Sequence, residues 1–353
     1  MRVYSAQWVK PPQRKPWMGS PRGLAAGALD VLGLLDQLLW LRGRCRLPLV
    51  GVFTYHRIAE PEAVGELDGG VAEADAREFR EQIALIKAHC TPLTLSDLRR
   101  GLRGRPLPPN PVLITFDDGY RDCHDVALPI LQAAGVSATF FIPTAYPGAG
   151  RLFWWDRVVL IMRRCQLERV DLAYPIPLTL YPTRDPAASA KRVLAAIKRT
   201  PGVDLERSLD ELSRAAAVSL DPDEERRLAA ATIMDWPEIR ALRAAGMDIQ
   251  SHGHSHGVLN TMSPEQAGRD LVRSRTLLSD ALGEEIHTVA YPVGYPLRGA
   301  HREAVRAAGF ELAFTNNTGL CLTTTFDPLN APRVAMDRGQ VGALYKLKLL
   351  AGD

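Results

Sequence analysis

The stretch Pro111-Val112-Leu113-Ile114-Thr115-Phe116-Asp117-Asp118-Gly119-Tyr120 decides how this chain is read. An apolar run climbs from Val112 to Phe116 and stops at two carboxylates and a glycine. A short continuous apolar run ended by a turn signal reads as a buried strand. Acids at the C-terminal end of such a strand sit at the mouth of the sheet, where α/β proteins place their chemistry. Neighbouring residues of an extended chain point in different directions, so Asp117 and Asp118 suit different tasks. One can hold a metal while the other handles a proton. An ordinary Asp-Asp-Gly turn is the competing reading.

The second signal is Ser251-His252-Gly253-His254-Ser255-His256, which holds three of the eight histidines in the chain. His252 and His256 are four residues apart, a spacing that can bring two imidazoles to one ion. Two histidines and one carboxylate, with a fourth position open to water, make a catalytic zinc set. A carboxylate outside the ligand set can then take a proton from the bound water. A polar loop of satisfied histidines is the bland alternative. The cluster and the strand-end acids together speak against it.

At these residues the chain resembles the polysaccharide deacetylases, the NodB-homology domains of carbohydrate esterase family 4. Thr115 to Gly119 and Ser251 to His256 look like the first two motifs of that family. Tyr55-His56-Arg57-Ile58, Ala290-Tyr291-Pro292-Val293-Gly294 and Ala331-Pro332-Arg333-Val334 look like further blocks of one branch. The matches run in order from about residue 48 to 336, leaving out the N-terminus and a middle segment. The resemblance implies a distorted (β/α) barrel and removal of an N-acetyl group from an amino sugar, by attack of a metal-bound water on the amide carbonyl. It implies one divalent ion, with Zn2+ the leading expectation, held by Asp118, His252 and His256. Asp117 becomes the base, and the backbone N–H of Val293 faces the oxyanion. A His-His-Asp site accepts several divalent ions.

Two departures from the family pattern matter. The family's third motif carries an arginine that steadies the catalytic aspartate, and the aligned position here is Ala290. Arg333 is the candidate replacement, since a charge-assisted contact would hold Asp117 ionised. The usual general acid is a histidine near the C-terminus, and no histidine follows His301. His56 is the expected substitute, because an imidazole has a suitable pKa. His254 is a further local candidate and equally a bystander.

Composition sets the outer bounds. The 353 residues can bury a substantial core, as one barrel or two smaller domains. A net charge of +3, evenly spread, argues against a nucleic-acid partner. Five scattered cysteines, none in CxxC spacing, do not look like a disulfide framework and favour a reducing compartment.

Taken in order, residues 1–22 read as a basic, proline-rich arm with no signal-peptide apolar region behind it. Leu24 to Leu41 is strongly apolar but contains Asp30 and Asp36, which make it a poor transmembrane span. It reads as an amphipathic helix packed on the body, with peripheral membrane contact through residues 24–46 as the alternative. The expected location is therefore cytoplasmic or peripheral at a membrane. The signal Ala-Ala-Gly recurs at 133–135, 244–246 and 307–309, each after an amphipathic stretch and before an apolar run. Such helix-Gly-strand units predict alternating elements, about seven parallel strands, and a distorted or incomplete barrel over 47–149 and 233–353. Residues 150–232 interrupt the alternation and read as a mostly helical insertion. Trp154 and Trp155 at its start either stack on sugar rings or anchor the insertion.

The substrate expected is an amino-sugar polysaccharide or glycolipid. A deformylase or deacylase of lipid-linked sugars, or an amidase of small molecules, keeps the metal and changes the substrate. A non-catalytic carbohydrate-binding scaffold is the reading from another class.

Overall fold

The computed structural model describes residues 21–325 and 327–352, so nearly all of the basic arm predicted at 1–22 lies outside the described residues. Among those residues, seven parallel strands close into a barrel. They are β1 (Leu49–Tyr55), β2 (Pro111–Phe116), β3 (Thr139–Ile142), β4 (Asp248–Ser251), β5 (Thr288–Ala290), β6 (Leu312–Thr318) and β7 (Ala331–Ala335). Each pairs with the next, and β7 returns to β1 through Phe53↔Val334 and Thr54↔Ala335. The ring is closed but uneven, since β4 and β5 meet only at Ser251↔Val289. Thr91–Pro92 extends the start of β2, and Cys321–Leu322 runs antiparallel to the start of β1.

The pleat decides what enters the lumen. Val50, Val52, Leu113, Phe141, Phe314 and Ala331 pack together inside. Their sequence neighbours Phe53, Tyr55, Val112, Ile114 and Phe116 face the outer helices. Side chains alternate along a strand, so the Leu113 face continues through Thr115 to Asp117, and the Ala331 face continues to Arg333. Thr54 and Thr115 sit side by side on the paired strands β1 and β2, their hydroxyls 2.9 Å apart.

The local signals in the sequence have structural counterparts. Asp75, Asp235 and Ser263 each cap a helix in a reciprocal box with Glu78, Glu238 and Gln266. Gly135, Gly246 and Gly309 take φ of 65°, 85° and 88°, the left-handed turn that leads each helix into the next strand.

Between β3 and β4 the chain leaves the barrel for helices Trp154–Arg164, Pro186–Arg199, Leu205–Ala216 and Pro222–Thr232. A small antiparallel hairpin, Val170–Leu172 with Leu178–Leu180, was not anticipated in this segment. The N-terminal apolar stretch also departs from expectation. It forms two helices, α1 (Pro21–Val31) and α2 (Leu34–Cys45), bent by 79°. Gly33, with φ of 68°, takes the left-handed conformation that breaks the helix between them.

Candidate metal centre

Asp117 and Asp118 leave the end of β2 in different directions. Asp117 continues the lumen face. Asp118 has φ of 71°, which turns its side chain toward the loop after β4. There its Oδ1 lies 3.3 Å from His252 Nε2 and 3.1 Å from His256 Nε2. The two imidazoles are 4.7 Å apart, centroid to centroid, and nearly perpendicular. All three side chains are buried.

These separations suit an ion. Ligand bonds of about 2.0–2.1 Å in a tetrahedral zinc site put neighbouring ligand atoms about 3.3 Å apart. The Asp118 oxygen therefore lies at the edge length of such a site from each imidazole nitrogen, and all three donor atoms fall within 4.8 Å of one another. His252 Nδ1 sits 2.8 Å from the carbonyl of Ala290, so Nδ1–H donates and Nε2 keeps its lone pair for a ligand bond. Burial lowers the pKa of His256, which favours the neutral form that ligation needs. Burial opposes the charge of Asp118, but the two imidazoles set against its Oδ1 outweigh it and hold the carboxyl well below its usual range.

The four-residue spacing of the histidines works through a loop, not a helix. The Asp270 carboxylate pins that loop by accepting the N–H groups of His254 and Ser255 at 2.7 and 3.0 Å. His254 points elsewhere, its Nδ1 against the Thr144 hydroxyl at 2.9 Å, and takes no part in the cluster.

Arg333 reaches across the lumen from β7 and binds Asp117 with both ends of its fork, at 2.8 and 2.7 Å. The carbonyl of Thr315 and Oδ1 of Asn316 fix the guanidinium at 3.1 and 2.8 Å. Burial alone would raise the Asp117 pKa. The Arg333 charge, helped by His252, outweighs it and lowers the value.

His56 follows β1 and is buried against Glu73. Its Nδ1 is 2.6 Å from Glu73 Oε1, and its N–H donates to Oε2 at 2.9 Å. Burial would lower the imidazole pKa, but the Glu73 carboxylate, with Asp118 and Asp117 adding to it, pushes it up to about 9. Val293 lies in the turn after β5 with φ of 63°. A left-handed conformation is an outlier for a β-branched residue, and such strain gathers at functional sites. Six non-glycine residues have positive φ among those described, and Asp118, His256 and Val293 are three of them.

The insertion closes over this centre. Trp154 Nε1–H donates to the carbonyl of His256 at 3.3 Å. The Trp155 ring lies 4.3 Å from the His256 imidazole, and its Nε1–H donates to the Tyr120 hydroxyl at 2.8 Å. Both tryptophans are buried, so they anchor the insertion and are not a sugar-stacking surface. Glu73, Asp270 and Asn316 carry no motif in the sequence. They are partners chosen by tertiary contact, and only the fold reveals them.

Together these features define a closed parallel (β/α) barrel with a candidate metal site at its rim and an arginine-held aspartate beside it. The chain belongs to the polysaccharide deacetylase family, whose model matches residues 104–171 and 208–313. It is 40% identical over 57 residues to a poly-beta-1,6-N-acetyl-D-glucosamine N-deacetylase of Escherichia coli strain K12, a match covering 16% of this chain and 8% of that protein. The fold is similar to that of the Streptococcus pyogenes deacetylase PplD, at a TM-score of 0.55 and 16% identity over 86% of this chain and 98% of that one. It is similar also to IcaB from Ammonifex degensii, at 0.54 and 17% over 86% and 97%.

Proposed function

We propose that this protein is a metal-dependent hydrolase that removes N-acetyl groups from an amino sugar in a polysaccharide or glycoconjugate. The observation that carries the reading is the division of labour between two adjacent aspartates. Asp118 converges with two imidazoles, while Asp117 is held ionised by Arg333.

Asp118, His252 and His256 would hold the divalent ion, with zinc the expected occupant. When bound, the ion supplies an acidified water and polarises the amide carbonyl. Asp117 takes the proton from the attacking water. Both its oxygens face Arg333, and each keeps a further lone-pair site for that proton. Arg333 orients this carboxylate. The Val293 N–H is the candidate donor to the oxyanion formed at the carbonyl. The C–N bond then breaks and acetate leaves. The sugar nitrogen takes a proton from His56, whose raised pKa keeps it protonated at neutral pH.

Elemental analysis of metal content, paired with acetate release from chitooligosaccharides, tests this reading. The expected result is about one bound ion per chain, lost together with acetate release in a His252→Ala/His256→Ala variant. A folded wild type that holds no divalent ion when one is supplied overturns it.

A further inference from the structure

Among the described residues, thirteen large hydrophobic side chains are exposed, and eight of them fall between Leu24 and Leu47. Val31 is 90% exposed, and Leu32, Trp40 and Leu24 are each more than 60% exposed. They lie on α1, α2 and the bend between them. The opposite side of α2, through Leu35, Leu39 and Gly43, is buried against the body. Among the described residues, the helices are therefore docked on one face and unpartnered on the other, and the unpartnered face is apolar.

The charges on this face are sorted by sign. Its two acids share one cation, since Lys346 Nζ lies 2.8 Å from Asp30 and 2.7 Å from Asp36, and His89 Nε2 lies 3.3 Å from Asp36. Arg42 is tied inward to Asn110 and to the carbonyl of Leu349. Arg44 and Arg46 remain exposed, and the Arg44 guanidinium lies 5.6 Å from the Trp40 ring. In the sequence, Lys10, Arg14 and Lys15 precede α1. An apolar face with a tryptophan at its edge and a basic rim is what an interfacial helix presents to anionic lipid. No single helix among the described residues is long and apolar enough to cross a bilayer; the two helices reach that length and composition only as a pair, bent by 79° at the break between them.

We propose that α1 and α2 form a docking surface for an anionic lipid bilayer. Their place in the barrel gives the docked protein an orientation. Asn110 immediately precedes β2, and its side-chain amide donates to the carbonyl of Leu39 in α2. The helices thus cover the end where the strands begin. Asp118 and His252 lie where strands end, roughly 20 Å away at about 3.3 Å per residue along β2. The metal centre is held off the membrane on the far side of the barrel. If the deacetylase reading of that centre holds, its substrate is a glycan long enough to extend from the surface, and not a sugar seated next to its lipid.

Flotation of the full chain with vesicles tests the docking directly. The chain is expected to float with phosphatidylcholine vesicles containing phosphatidylglycerol, to be released by high salt, and to stay behind with phosphatidylcholine alone. Val31→Ser/Trp40→Ser should reduce the floated fraction at least about tenfold, and Arg44→Glu/Arg46→Glu should reduce it less. These side chains are exposed, so both variants keep the wild-type far-ultraviolet spectrum and the same acetate release from soluble oligosaccharide. Four results overturn the proposal. They are no flotation, equal flotation with neutral vesicles, retention through high salt and alkaline carbonate, and self-association that Val31→Ser/Trp40→Ser abolishes without any vesicle binding. Flotation needs no catalysis, so a chain that floats but releases no acetate counts against the deacetylase reading alone.

Discussion

Arg333 and Asp117 form a two-pronged ion pair across the barrel lumen, at 2.8 and 2.7 Å, with both side chains almost wholly excluded from solvent. The residues are 216 positions apart in the chain, and they meet because each sits on the lumen face of its own strand. The guanidinium thus comes from β7, while the family's third motif stands here with Ala290 in place of its arginine.

Arg333→Ala leaves a buried carboxylate without its partner, which should destabilise the fold by about 3–5 kcal/mol. Arg333→Lys keeps the charge and loses the fork, so it tests the role more cleanly. As the proposed base, Asp117 must be ionised for activity, and Arg333 is what lowers its pKa. In Arg333→Lys the acid limb of the kcat/KM profile should move to higher pH, with a lower plateau. An unmoved limb would mean that Asp117 is not the base. The same shift has a stability sign. A lowered carboxyl pKa stabilises the fold above the unfolded value near about 3.9, and that contribution is lost as pH falls toward the folded value.

With His56 as the proposed acid, the His56–Glu73 pair should set the alkaline side. His56 must carry a proton to serve the leaving amine, and Glu73 pushes its pKa up to about 9. Wild-type activity should therefore persist to about that pH. In Glu73→Gln the alkaline limb should move to lower pH. A wild-type limb unaffected by Glu73→Gln would remove His56 from the acid role. For stability, a raised imidazole pKa contributes fully below about 6.5 and is lost as pH rises through the folded value.

Removing the ion should cost stability as well as turnover. A ligand that binds only the folded state at a hundred times its Kd stabilises by about 2.7 kcal/mol. Zinc added to chelator-treated wild type should raise Tm measurably, and should leave Tm unchanged in His252→Ala/His256→Ala. A rise in that variant would place the stabilising ion elsewhere.

Trp155 should matter to the metal through His256. The ring lies 4.3 Å from the imidazole and is held by Tyr120. Loss of such a supporting contact typically costs about 10–100-fold in metal affinity. Trp155→Leu should weaken Co2+ binding on that scale, while Trp155→Phe, which keeps an aromatic face, should bind within a few-fold of wild type. Titration against a competing chelator reads both, and equal weakening by the two would mean a general loss of packing.

What could be read in the sequence was what repeats locally. The strand Val112 to Phe116, the caps at Asp75, Asp235 and Ser263, and the glycines that follow three helices all depend on neighbours a few residues away. So do the Asp-Asp and His-X-X-X-His patterns, which mark the candidate metal centre without any structure. Such signals survive in one dimension because the pleat, the helical turn and the left-handed cap are set by short-range sterics.

The rest was decided only when distant segments packed. Closure of seven strands set β7 and β2 on either side of β1 and so brought Arg333 to Asp117. Burial paired Glu73 with His56, and Asp270 with the histidine loop. Packing also set the insertion's tryptophans behind His256, and broke an apolar stretch at Gly33 into two helices with one face uncovered. Each of these relations joins residues whose chemistry is ordinary alone. Only the three-dimensional arrangement removes water from between them and makes their charges count.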